Sequence, residues 1–350
     1  MDCLSDSFHR PISYLRVSVT DRCNLRCLYC VPPQGVEHID PGQVLSYEEI
    51  IRIIEAARKL GITKVRVTGG EPLVRSGIVD FIRLLSSVEG IQDVAMTTNC
   101  ILLKKYARAL RKAGLSRVNV SLDTLRPDRF RKITRGGRIQ DVLDGLAAAE
   151  DAGLSPIKIN AVAMEGFNQD EVLDFGRLTL ERDWHVRFIE LMPMGHGSLD
   201  ELEAMADTPR CVSPDFHRLL EEAHIQDGFL SVEQVKGLLA PLGELEPWQV
   251  PGNGPARYYR LPGARGTLGF ISPVSEYFCS SCNRLRLTAD GRLRPCLLAE
   301  HEIDLRETLR SGAPPEEIEA LIRMAIAAKP ERHLIDRNIA PRDHMVQIGG

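Results

Sequence analysis

The stretch YLRVSVTDRCNLRCLYC, residues 14–30, runs from a β-branched segment straight into a loop with three cysteines, at 23, 27 and 30. YLRVSVT alternates apolar and polar residues as a strand does. Three residues and then two separate the cysteines, so three soft donors gather on one loop at a strand's C-terminal end. A four-coordinate metal needs a fourth ligand, and this loop has none.

The same unit recurs downstream. KVRVTG precedes GIVDFIRLLSSV, DVAMTTN precedes ILLKKYARALRKA, and RVNVSLD precedes QDVLDGLAAAEDAG. PIKINAVAM precedes QDEVLDFGRLTLER, and HVRFIELM closes the series. Each short run is followed by an amphipathic stretch, which predicts six parallel strands alternating with helices. Ser46 and Glu49 form a capping-box pattern before the first helix, and Gly61, Gly114 and Gly153 stand where helices should stop. The strands end in VTDRC, VTGGEP, TTN, SLD and ELMP, a ring of polar ends suited to a barrel mouth. A doubly wound sheet is the alternative, with its site at one switch point and a glycine-rich phosphate loop after the first strand. Neither GxxxxGK[ST] nor GxGxxG stands in such a position. Six units are two short of a closed barrel, so the expectation is an incomplete (β/α)6 TIM-like barrel with an open side.

Composition bounds the rest. The chain has 350 residues, 43% apolar and 26% charged, an ordinary globular make-up. A formal charge of −4 gives no general attraction to nucleic acid or an anionic membrane. MDCLSDSFHR carries no targeting pattern and no segment approaches ~20 uninterrupted apolar residues, so a cytoplasmic protein is expected. Nine cysteines are too sparse for a disulfide scaffold. Six fall in two triads, Cys23, Cys27, Cys30 and Cys279, Cys282, Cys296, leaving Cys3, Cys100 and Cys211 scattered.

Three regions follow: a barrel over residues 1–196, an acidic helical or flexible insertion over 197–229, and a C-terminal α+β region over 230–350 that carries the second triad. In the last, RLRLTADGRLRPCL reads as a hairpin turning at Asp290–Gly291. Arg284 and Arg286, two apart on one strand, then share a face beside Cys282. Structural zinc is one reading of the triads, but it prefers a full set of four ligands. Three thiolates on a four-iron cluster leave one iron open to an outside ligand, and soft sulfur donors suit iron–sulfur chemistry.

CxxxCxxC after the first strand, with Tyr29 before the last cysteine and GGEP (residues 69–72) after the second strand, resembles the radical S-adenosylmethionine enzymes. LRVSVTDRCNLRCLYC, RVTGGEPLVR, TTN, SLDTL, IKINAV, FIELMPMG, CSSCNRLRLTADGRLRPCL and the terminal GG together resemble the GTP 3′,8-cyclase family of molybdenum cofactor biosynthesis. The resemblance runs through the chain in order. It implies two [4Fe-4S] clusters, on Cys23, Cys27, Cys30 and on Cys279, Cys282, Cys296. It implies S-adenosylmethionine held by Tyr29, Gly70, Ser121 and Met192. It implies GTP held by Arg16, Arg66, Thr97, Lys158, Arg284, Leu285 and Arg286, without a P-loop.

No side chain is implied as acid or base, because a 5′-deoxyadenosyl radical removes the 3′ hydrogen and the ribose carbon then attacks C8 of guanine. The implied partners are GTP, an electron donor and the downstream cyclic pyranopterin monophosphate synthase; nucleic acid and membrane are not among them, and a homodimer is left open. Two departures stand out: Cys100 follows TTN where the family has glycine, and the acidic insertion is long. The rival readings are a radical enzyme acting on another nucleotide or a peptide, and a non-catalytic zinc protein.

Overall fold

The computed structural model describes residues 4–32, 34–192, 228–250, 254–299, 301–333 and 344–349. The acidic insertion expected over 197–229 lies outside the described residues except for its last two. One of these, Phe229, forms an isolated bridge with Met164.

The predicted strands are β1 (Tyr14–Ser18), β2 (Lys64–Thr68), β3 (Asp93–Thr98), β4 (Arg117–Ser121), β5 (Ile157–Ala163) and β6 (Trp184–Glu190). Between them run α1 (Tyr47–Lys59), α2 (Ile78–Ser87), α3 (Leu103–Lys112), α4 (Pro127–Ile133), α5 (Ile139–Asp151) and α6 (Val172–Glu181). Helix α1 begins where the capping box requires: Ser46 Oγ accepts from Glu49 N at 3.1 Å and Glu49 Oε2 accepts from Ser46 N at 2.7 Å. It ends at Gly61, whose φ of 95° is open to glycine and costly for other residues. Ile50, Ile53, Ile54 and Ala57 form its buried face. Each isoleucine buried there contributes roughly 1.5–3 kcal/mol.

Alternation along the strands decides which side chains see the site. Leu15 and Val17 of β1, and Val65 and Val67 of β2, belong to the core beneath the helices. Their neighbours Arg16, Arg66 and Thr68 therefore point to the other face, which lines a cavity. Arginine on a parallel strand is unusual, since such strands are normally apolar on both faces.

The C-terminal region adds α7 (Val232–Leu239), β7 (Glu246–Trp248), β8 (Arg257–Arg260), β9 (Thr267–Ile271), β10 (Arg284–Leu287), β11 (Arg292–Arg294), β12 (Ile303–Asp304), α8 (Arg306–Arg310) and α9 (Pro315–Ala327). The expected hairpin is β10–β11, antiparallel, with Arg286 opposite Arg294. All twelve strands form one sheet, ordered β12-β11-β10-β1-β2-β3-β4-β5-β6-β9-β8-β7. Strand β10 pairs parallel with β1, and β9 pairs parallel with β6. The six-stranded barrel is thus extended on both edges by strands from the far end of the chain. The sheet stays open, because β9 and β10 do not pair with each other.

Candidate active site

The GGEP turn is packed onto the cysteine loop by backbone alone. Gly70 N donates to Thr20 O at 2.6 Å and Glu71 N to Arg22 O at 2.8 Å. A Cβ at Gly69 would lie 2.6 Å from Thr20 O, and one at Gly70 would lie 2.4 Å from Arg22 O. Only glycine allows this approach. Buried Glu71 then ties in the third strand end, accepting from Thr98 Oγ1 at 2.8 Å and Asn99 N at 2.7 Å. Burial pushes its carboxyl up to about 7 despite those hydrogen bonds. Asn99 Nδ2 reaches Asn24 Oδ1 at 2.8 Å and Cys23 Sγ at 3.8 Å, so the network ends on the triad.

On the other side of the loop, Tyr29 Oη donates to Asp123 Oδ2 at 2.7 Å, and Asp123 Oδ1 accepts from Val162 N at 2.8 Å. Burial raises Asp123 to about 6.

Do the cysteines fit a cluster? Cys23, Cys27 and Cys30 are free thiols on the wall of one cavity. Burial pushes Cys23 up to about 11 and Cys30 to about 12, and burial together with Cys30 and Asp123 raises Cys27 well above its usual range. Three thiolates can coexist here only around a cationic centre. No three His, Cys, Asp or Glu side chains among the described residues converge tightly enough for a single ion. Three soft thiolates without a fourth protein ligand suit three corners of a cubane better than a tetrahedral zinc, which takes four.

The second triad lines the same cavity. Cys279 is raised by burial. Burial would also raise Cys282, but Arg284 and Lys329 outweigh it and bring that thiol down to about 6. Arg284 Nη2 donates to Cys282 Sγ at 3.6 Å and its guanidinium lies 5.0 Å from the Phe278 ring centre. Glu190 at the end of β6 holds the loop before this triad, accepting from Val274 N at 3.1 Å and Ser275 N at 2.9 Å.

Between the triads the cavity wall is cationic. Parallel register sets Arg16 beside Arg66 on one side and beside Arg286 on the other. Burial and the neighbouring Arg286 and Arg66 hold Arg16 well below the usual arginine range, while burial and Arg284 bring Arg286 to about 9. Lys158 is brought to about 7 by burial and by Arg187, Arg117 and Arg66. Among the described residues Arg66 Nε, Arg286 Nη1, Thr97 Oγ1 and Asn160 Oδ1 have no hydrogen-bond partner. Such self-repelling, buried cations are stable only opposite a multiply charged anion.

The tail reaches the cavity wall. Gly349 O accepts from Arg16 Nη2 and from Thr68 Oγ1, both at 3.2 Å. Met345 and Val346 line the wall. Gly350 lies outside the described residues.

The radical S-adenosylmethionine superfamily matches residues 17–179, and the family described as Molybdenum Cofactor Synthesis C matches residues 216–335. The GTP 3′,8-cyclase of Pelotomaculum thermopropionicum is 49% identical over 348 residues, which cover 99% of this chain and 100% of that one. The one from Heliobacterium modesticaldum is also 49% identical, over 350 residues and 99% of both chains. This chain belongs to the GTP 3′,8-cyclase family. Among solved structures, SuiB of Streptococcus suis bound to S-adenosylmethionine has a TM-score of 0.53 at 15% identity, covering 89% of this chain and 67% of that chain. That likeness is one of fold.

Within the family frame, the cavity brings together Tyr29, Gly70, Ser121 and Met192 with Arg16, Arg66, Thr97, Arg284, Arg286 and both triads. Two expected positions lie elsewhere. Leu285 is fully buried in the core under the helices, because alternation turns it away from Arg284 and Arg286. Lys158 is not among the residues that line this cavity, and its Nζ lies 5.7 Å from the Tyr258 ring centre. Sequence reasoning did not single out Glu71, Asn99 or Asp123. Their signal was the polar strand ends GGEP, TTN and SLD, which marked a site without saying which residue binds and which braces.

Proposed function

We propose that this chain uses S-adenosylmethionine and two [4Fe-4S] clusters to cyclise GTP to 3′,8-cyclo-7,8-dihydro-GTP. The row of arginines between two cysteine triads carries this reading: Arg286, Arg16 and Arg66 stand side by side on three strands, and a triphosphate supplies the acceptors that Arg286 Nη1 and Arg66 Nε lack among the described residues. Cys23, Cys27 and Cys30 would hold one cluster, which together with S-adenosylmethionine would supply the radical chemistry.

The chain's own residues position and shield. Tyr29, fixed by Asp123, and Gly70, fixed against Thr20, shape the S-adenosylmethionine site together with Ser121 and Met192. Arg16, Arg66, Thr97, Arg284 and Arg286 grip GTP, and Lys158, which feels the charge of Arg66, adds to the positive field. Leu285 contributes through its strand's placement and not through its side chain. Cys279, Cys282 and Cys296 would hold the second cluster, which would supply a binding point for the guanine base. Tail and loops exclude water from the reacting carbon. No helix among the described residues is long and apolar enough to cross a membrane, in keeping with a cytoplasmic enzyme. A one-electron donor, a synthase that consumes the product, and a homodimer complete the proposal.

The test is anaerobic turnover of the reconstituted full-length chain with GTP, with ATP and with neither. GTP alone should give cyclised product with equimolar 5′-deoxyadenosine. Equal 5′-deoxyadenosine from ATP, or none with eight irons bound, overturns the assignment.

A further inference from the structure

Lys329, just beyond α9, is 3% exposed and lies on the cavity wall beside the second triad. Its Nζ donates to Arg284 O at 2.9 Å and to Pro295 O at 2.7 Å. Pro295 immediately precedes Cys296, and Arg284 follows Cys282 by two residues. The remaining cysteine is gripped from the N-terminal side of the chain: Arg10 Nη1 donates to Cys279 O at 2.7 Å. Arg10 also donates to Pro330 O at 2.6 Å and Glu331 O at 2.9 Å. Two buried cations thus form one clasp around all three cysteine segments.

Their charges are not equivalent. Arg10 is balanced by Asp6, with Nε 2.6 Å from Oδ2. Lys329 forms no ion pair among the described residues, and its carbonyl partners leave the full charge in place. An unpaired buried ammonium is costly, so it needs an anion within reach. Three thiolates on a four-iron core carry a net charge of about −1 when oxidised and −2 when reduced.

We propose that Lys329 is the counter-charge of the cluster on Cys279, Cys282 and Cys296, a positioning residue that raises the cluster's reduction potential. This rests on the iron–sulfur reading above. A fixed positive charge in low dielectric favours the reduced state, and potentials of such clusters follow net charge and hydrogen bonding.

The test uses the full-length chain with Cys23→Ala, Cys27→Ala and Cys30→Ala, so that only the second cluster is present. Iron content and the one-electron midpoint are measured with Lys329 intact and as Lys329→Met, Lys329→Gln and Lys329→Arg. Methionine and glutamine should lower the reduction equilibrium about tenfold, or 59 mV for one electron. Arginine should stay at the parent value. If both neutral variants lose the cluster while arginine keeps it, the counter-charge role is upheld by retention. A parent that holds no iron overturns the iron–sulfur reading. A loaded parent whose glutamine variant titrates unchanged overturns only the Lys329 inference, as does loss of the cluster in all three variants.

Discussion

Arg16 and Gly349 meet across 333 residues: Nη2 of the arginine donates to the glycine's carbonyl at 3.2 Å. The glycine lies at φ 78°, and a Cβ there would sit 2.8 Å from Ser18 Cβ. A segment seated this closely on Arg16 and Thr68, two residues of the cavity wall, is packed and not frayed. Deleting Gly349 and Gly350 should leave iron content and S-adenosylmethionine binding unchanged. GTP-dependent 5′-deoxyadenosine should fall at least tenfold, measured by chromatography of single-turnover reactions. Full-rate turnover by the truncated chain would make the tail dispensable.

The neighbouring Arg286 stores repulsion. It is brought to about 9 first by burial and then by Arg284, and its Nη1 has no hydrogen-bond partner among the described residues. Replacing a buried charge of this kind with an apolar residue of similar length often stabilises by about 1–4 kcal/mol. Arg286→Met should therefore melt several degrees higher than the parent without GTP, while its GTP affinity falls at least tenfold. Calorimetry on both proteins, with and without nucleotide, checks the opposed signs. A lower melting point without nucleotide would overturn the idea that this position stores repulsion.

Lys158 gives a pH dependence. Its folded value of about 7 lies below the ordinary 10.5, so between those limits the unfolded chain holds a proton that the folded chain lacks. Its contribution to stability therefore grows as pH rises from about 7 toward 10.5. A bound triphosphate reverses the depression and draws the proton back. At pH 8, GTP binding should take up close to one proton, and affinity should weaken as pH rises above 7. Titration calorimetry in buffers of different ionisation heat reads the uptake. The same uptake in Lys158→Met would place the proton elsewhere.

These charges also show what sequence can and cannot say. The strand–helix alternation, the Ser46–Glu49 box and the Asp290–Gly291 hairpin are local patterns, and each stands in the structure as its spacing implies. The pairing of β10 with β1 spans some 270 residues and leaves no local trace, so the row Arg286–Arg16–Arg66 was visible only as separate basic residues. Glu71 and Asp123 were hidden for another reason. A carboxylate at a strand end looks alike in sequence whether it touches a ligand or, as here, braces Asn99 and Tyr29. Cys100 was legible as a departure from glycine, and the structure shows what the departure costs: its φ is 71°, a left-handed conformation that suits glycine and is costly for a side-chain-bearing residue.

That residue leads to a contrast between two glycines. Gly145 lies inside α5 and Gly237 inside α7, and helix propensity alone makes alanine better than glycine at both by about 1 kcal/mol. Around Gly237 nothing lies within 4 Å of an added Cβ. At Gly145 the new carbon would stand 2.4 Å from Cys100 O and 2.6 Å from its Sγ, distances real Cβ atoms do not show. Cys100 is fully buried and follows Asn99, which bonds Glu71, so the loop cannot retreat without disturbing the network that reaches Cys23. Gly237→Ala should therefore stabilise by about 1 kcal/mol and leave activity alone. Gly145→Ala should destabilise by about 1–3 kcal/mol, as overpacking does, and should weaken S-adenosylmethionine binding. Cys100→Gly will not rescue it, because the nearer obstacle is backbone oxygen. Denaturant titration of the three variants decides the matter, and a Gly145→Ala protein as stable as the parent would show that this loop is free to move.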